Sequence, residues 1–163
     1  MSFPLSTVTQ LRQSPLLKDN MSGLKVFGML LIGLMLSALS DVPRSFEVIG
    51  ESVKTVVLDN AGKLELIEIK FLNTTNNNLE LKWTRLENTF PKQWDYSMCA
   101  FGKCQVGIPK GGVLRPVHPG KSGFLAIHVL PKGSKGEGVV KFRLFDPKDE
   151  RNGQMLEFRV RVK

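Results

Sequence analysis

Cysteine is nearly absent from this chain: Cys99 and Cys104 are the only two among 163 residues. That excludes a C-x-x-C-H haem attachment and leaves structural zinc, which takes four ligands, without a second cysteine pair. Histidine is equally scarce. A blue-copper loop needs a His and usually a Met close behind its Cys, but the first His after Cys104 is His118 and the next Met is Met155. There is no G-x-S-x-G elbow and no H-E-x-x-H pair. Asp95, Asp146, Asp149 and Glu150 fall among turn residues, where carboxylates serve local hydrogen bonds. Helical periodicity is missing after residue 43, which excludes parallel α/β folds. No enzyme activity, catalytic residue, metal site or cofactor is therefore expected.

Long apolar runs are also rare, and the one present governs the reading of location. From Val26 to Leu39 the only polar residue is Ser37, with Lys25 and Asp41 as flanks. As a helix this run covers roughly 21 Å at 1.5 Å per residue, against ~30 Å of hydrocarbon. Met21 to Lys25 and Ser40 to Pro43 extend it towards membrane thickness, the lysine snorkelling. Ala38-Leu39-Ser40 also fits a small-x-small cleavage pattern, so a secretory leader is the competing reading. The expectation carried forward is a retained anchor. The expected division is a cytoplasmic tail over 1–22, a signal-anchor over 23–43 and an outer domain over 44–163. Arg12, Lys18 and Lys25 precede the run with only Asp19 against them, which orients the N-terminus inside. The expected site is thus the inner membrane, crossed once, with the outer domain in the periplasm. Gly28, Gly33 and Ser37 would let neighbouring helices approach closely, Gly33 and Ser37 as a small-xxx-small pair.

Removing the three basic residues and one acid before residue 41 leaves 20 basic against 14 acidic side chains, or +6. The excess is dispersed. Phe158-Arg159-Val160-Arg161-Val162 alternates as a strand with one solvated face does, and a nucleic-acid partner is not expected. An acidic protein surface or anionic headgroups remain partners such a face could meet.

The outer domain reads as short strands separated by turns. Phe46 to Ile49 and Val53 to Leu58 are extended pieces broken at Gly50, and Asp59-Asn60-Ala61-Gly62 is a turn. Leu64 to Phe71 nearly alternates, with a slip at Leu66-Ile67 that suggests a bulge. Asn73 to Asn78, all Asn or Thr, is a loop; Leu79, Leu81 and Trp83 then form a half-buried strand. Asn88 to Pro119 is irregular. Gly123 to Leu130, Val139 to Phe145 and Met155 to Val162 complete about seven strands, separated by Pro131 to Gly136 and a long turn over Asp146 to Gly153. The fold class expected is mainly β, an immunoglobulin-like antiparallel sandwich behind one transmembrane helix. In an oxidising compartment Cys99 and Cys104 read most simply as a small disulfide loop, with half a metal site or a redox pair as alternatives.

Trp83, the Pro91…Trp94…Cys99-x4-Cys104 segment, Pro119-Gly120 and Gly136-Glu137-Gly138 together resemble an immunoglobulin-like module of bacterial envelope and secreted proteins, common in Bacteroidota. The resemblance spans roughly residues 60–163 and implies a non-enzymatic sandwich with a short disulfide loop. It implies little about function, because such modules are attached to many proteins. It also speaks for a bacterial origin, so the sequon Asn73-Thr74-Thr75 is given no glycan. Trp94, Tyr96 and Phe101 are a candidate aromatic binding surface; packing of the tryptophans into the core and its loop cover is the alternative.

Two functions are compatible with these features. One is a non-catalytic accessory subunit of a membrane complex, photosynthetic or respiratory, that meets integral membrane subunits through the helix and tail. The other is a free-standing envelope binding module for carbohydrate or a soluble protein. Intact mass of the purified protein checks the anchor: the residues before Asp41 are expected to be present, and a species beginning at Asp41 would show a cleaved leader. In sealed cells protease should remove the outer domain and spare residues 1–20.

Overall fold

The computed structural model describes residues 43–163. The expected tail, the anchor up to residue 42, its orientation, and Gly28, Gly33 and Ser37 lie outside the described residues. Ten strands follow in chain order: β1 (Phe46–Ile49), β2 (Val53–Leu58), β3 (Glu65–Asn73), β4 (Lys82–Asn88), β5 (Asp95–Ala100), β6 (Lys103–Val106), β7 (Gly111–Val113), β8 (Ser122–Leu130), β9 (Gly136–Asp146) and β10 (Asp149–Val162). They form two five-stranded sheets, ordered β1-β3-β8-β5-β6 and β2-β10-β9-β4-β7. No helix occurs among the described residues.

Period-2 alternation explains the packing. On β10, Leu156, Phe158, Val160 and Val162 point inward while Glu157, Arg159 and Arg161 face out. Trp83, Phe142 and Phe158 meet edge-to-face across neighbouring strands, with centroids 5.5 and 5.9 Å apart. Phe46 and Phe71 do the same in the other sheet at 6.1 Å. These rings, with Ile69, Met98, Leu125, Ile127 and Leu144, fill one continuous core. The Trp83 indole nitrogen is buried and has no hydrogen-bond partner among the described residues.

The break expected at Gly50 is a change of sheet. Gly50 has φ 76°, β1 pairs with β3, and β2 joins the opposite sheet beside β10. A second crossing lies at Gly107 (φ 77°), between β6 in one sheet and β7 in the other. All four sheet edges are therefore made by two chain segments of 3–6 residues per strand, short enough to blunt edge-to-edge association.

Several expectations are corrected. There are ten strands rather than about seven, and β2 runs parallel to β10, so the sandwich is not wholly antiparallel. The extra strands β5, β6 and β7 lie in the stretch read as irregular. β7 escaped notice because it is Gly111-Gly112-Val113, and the glycines are needed for fit. A Cβ on Gly112 would sit 3.0 Å from the Trp83 ring, and one on Gly111 3.0 Å from its carbonyl oxygen. No bulge occurs at Leu66-Ile67: the β3–β8 register is continuous, and Leu66 simply faces outward opposite His128. Register shifts lie instead between Arg85 and Glu87 and between Asp149 and Gln154. The turn expected over Asp146 to Gly153 is a tight β9–β10 connection. Leu79 precedes β4 and forms an isolated bridge with Val117.

The loop after β3 is organised by Asn73, which is only 1% exposed. Its amide nitrogen donates to the Val117 and Asn77 carbonyls, and its Oδ1 accepts from the Thr75 N–H and hydroxyl. With its amide enclosed in this way, the sequon is closed to a glycan in the folded domain.

Gly123 tests the packing. A Cβ there would lie 2.3 Å from Phe71 Cζ. Gly123→Ala is expected to lower stability by roughly 1–3 kcal/mol in urea unfolding through overpacking. Gly133→Ala, where the space is open and only φ 80° is strained, should cost about 1 kcal/mol.

Candidate functional site

Cys99 and Cys104 are joined, Sγ to Sγ at 2.00 Å, as directly opposed residues of the β5–β6 hairpin. The expected loop is therefore a cross-strand clasp. Phe101 and Gly102 form the turn, with Gly102 at φ 99° and the Arg115 side chain packed against it. The Phe101 N–H donates to the Phe124 carbonyl, and the Arg115 N–H donates to that of Phe101, which ties the tip to the sandwich.

The bridge lies on the outward face of the β1-β3-β8-β5-β6 sheet. Strand register sets its neighbours. Cys99 is opposite Ala126, Ser97 is opposite His128, and His128 is opposite Leu66. The His128 Nδ1 lies 3.9 Å from Cys99 Sγ. Cys99 is 7% exposed, whereas Cys104, on the edge strand, is exposed. Beside His128, towards the open end of the hairpin, is a shallow groove of about 290 Å³, lined by Leu64, Tyr96, Val106 and Leu130 with Asp95, Ser97 and His128. Leu64, Leu66 and Val106 are 57, 55 and 96% exposed, leaving an apolar margin that water must cover.

The candidate aromatic surface does not assemble. Trp94 is 2% exposed, packs on Phe90, and donates its indole N–H to the Ser134 carbonyl at 3.1 Å. Tyr96 stacks edge-on to Phe90 and reaches the groove, while Phe101 packs on Phe124 at the hairpin tip. Trp94 is fully, and Tyr96 and Phe101 are partly, drawn into the core. Leu64, Leu66 and Val106 were not singled out by sequence. The phase slip at Leu66-Ile67 was the signal for Leu66, and no such signal marks Val106.

His118 is far in sequence from the bridge and its Nδ1 lies 2.8 Å from Asn78 Oδ1, in a loop contact. Among the described residues no three His, Cys, Asp or Glu side chains cluster to hold a metal.

The opposite sheet carries most of the basic strand residues, and several of them meet an acid of the same sheet. Arg161 pairs with Glu137 at 2.9 Å, Lys141 with Glu87 at 2.7 Å, and Arg159 with Glu157. The hydrogen bond and charge of Glu87 hold the Lys141 ammonium above its ordinary pKa.

No family model matches the chain, and no curated protein does. Solved structures do. The N-terminal domain of PorA is 13% identical over 72% of this chain and 97% of that domain, with a TM-score of 0.49. PapD-like domain 7 of human CEP192 is 12% identical over 98% of each chain, TM-score 0.41. The enterotoxigenic E. coli adhesin CfaE, as its G168D mutant, is 9% identical over 73% of this chain and 48% of that one, TM-score 0.47. These are immunoglobulin-like and PapD-like sandwiches, and the likeness is one of fold. The class itself rests on the two sheets described above.

The clasp closes a ring of few residues, for which the chain-entropy model gives a stabilisation on the order of 2 kcal/mol. A Cys99→Ser/Cys104→Ser double variant should lose about that much in denaturant unfolding and keep its core. Thiol titration of the unreduced, denatured wild type should find none free.

Proposed function

We propose that this protein is a non-catalytic accessory subunit of a membrane complex. In this reading the segment Gly23–Pro43 clips it laterally onto integral membrane subunits, and the sandwich caps or bridges their outer face from the periplasmic side. The complexes considered are photosynthetic or respiratory. The observation that carries the docking half of this reading is the apolar margin of the β1-β3-β8-β5-β6 sheet, where Leu64, Leu66 and Val106 are exposed beside a groove. A partner surface presenting apolar side chains gains from covering such a face at ~25 cal/mol per Å². Surface ion pairs, each contributing roughly 0–1 kcal/mol, supply little docking energy. The basic residues therefore have a minor role, and an acidic protein or anionic headgroups are secondary partners.

The apolar groove also favours a second reading, a free-standing envelope module that binds a soluble protein. Carbohydrate fits less well as its ligand, because sugar platforms need exposed rings and Trp94 is enclosed. The bacterial-envelope origin implied by the sequence resemblance suits both readings.

Native electrophoresis after mild-detergent extraction separates them. Co-migration with a multi-subunit assembly is expected, together with release by Gly33→Leu or by Leu66→Glu. The Leu66 site is exposed, so that variant should melt within a few degrees of wild type. Migration of the wild type alone, with a soluble partner captured by the sandwich, would overturn the accessory reading.

A further inference from the structure

We propose that the Cys99–Cys104 bridge is a thiol–disulfide exchange site, attacked by a dithiol at Cys104, with His128 assisting departure of the Cys99 sulfur. The two sulfurs are not equivalent. Cys104 is exposed on β6, an edge strand whose outer side is unpaired among the described residues, so an incoming sulfur has a clear approach. Cys99 is 7% exposed and flanked by β8, whose His128 Nδ1 is 3.9 Å from its Sγ. Exchange is fastest when the attacked sulfur is accessible and the leaving thiolate is stabilised, and here one sulfur suits each role.

The chemistry balances in two steps. A thiolate of the dithiol attacks Cys104 Sγ, forming a mixed disulfide as the Sγ–Sγ bond breaks. The electron pair leaves on Cys99 Sγ, which takes the proton of the His128 imidazolium. The second thiolate of the dithiol then attacks its own sulfur in the mixed disulfide and expels Cys104 as thiolate. Two electrons pass from the dithiol, which leaves as a disulfide, to the bridge. The reduced hairpin keeps only three register pairs between β5 and β6, so its edge strand loosens beside the groove that Val106 lines.

The charged groups that share the outward face with His128 are few. From β3 they are Glu68, paired with Lys70, and from β5 Asp95, paired with Lys132; Ser97 and Leu66 stand directly opposite. Both acids are already met by lysines, and the imidazole is the ring that stands beside the sulfur.

The test uses the full chain, with reduced glutathione to trap the first step and dithiothreitol to complete the reaction. After brief exposure to glutathione, acid quenching and peptide mapping should find the adduct on Cys104. With dithiothreitol at pH 6, the rate per thiolate is expected to be about tenfold higher in wild type than in His128→Gln. An adduct on Cys99, or on both sulfurs equally, would overturn the direction of attack. Equal rates for the two proteins at every pH would remove His128 from the reaction. The adduct position is read in wild type, so it stands whether or not the variant folds.

Discussion

The edge-to-face contacts of Trp83, Phe142 and Phe158 bind β4, β9 and β10 into one layer, and they lie where the two sheets press together. Much else follows from keeping that interface closed. Because successive residues point to opposite faces, each strand that contributes an inward ring must also contribute outward neighbours. Those neighbours are charged on β10 and mixed on β3 and β8. The glycines of β7 exist to let a strand pass over the Trp83 ring, and Gly123 leaves room for Phe71 in the same way.

Closure at the sides is solved by sheet switching. The chain crosses at Gly50 and again at Gly107, so each lateral margin is one continuous segment shared between sheets. This arrangement keeps edges short without helices to cover them. It also explains the parallel β2–β10 pair: a segment antiparallel to β3 keeps its direction when it enters the opposite sheet, where β10 runs the same way.

The same margin holds the clasp. A hairpin as short as β5–β6 gains little from its three register pairs, so a covalent link between opposed residues does what packing cannot do at an edge. Its position on the outward face places it beside His128 and next to an apolar groove. The stabilising clasp, an imidazole and an exposed apolar margin thus share one surface.

Composition and alternation alone were enough to establish a β class, the break at Gly50, the turns at Asp59–Gly62 and Pro131–Gly136, and the clean half-exposed strand at Phe158–Val162; they left the cysteine pair with a disulfide as the simplest of three readings. These properties are local, set by side-chain period and by the φ that glycine permits. The tertiary structure decided the rest. It alone shows that Gly111-Gly112-Val113 is a strand, since the reason for its glycines is Trp83, whose ring lies against Gly112 29 residues later in the chain. It places Trp94 inside, where its indole N–H donates to the carbonyl of Ser134, 40 residues further along the chain. It turns the Leu66 phase slip from a bulge into an exposed leucine, since only the register with β8 tells an outward residue from an extra one. And it brings His128 to Cys99, 29 residues apart in sequence, because strand pairing joins positions that no spacing rule connects.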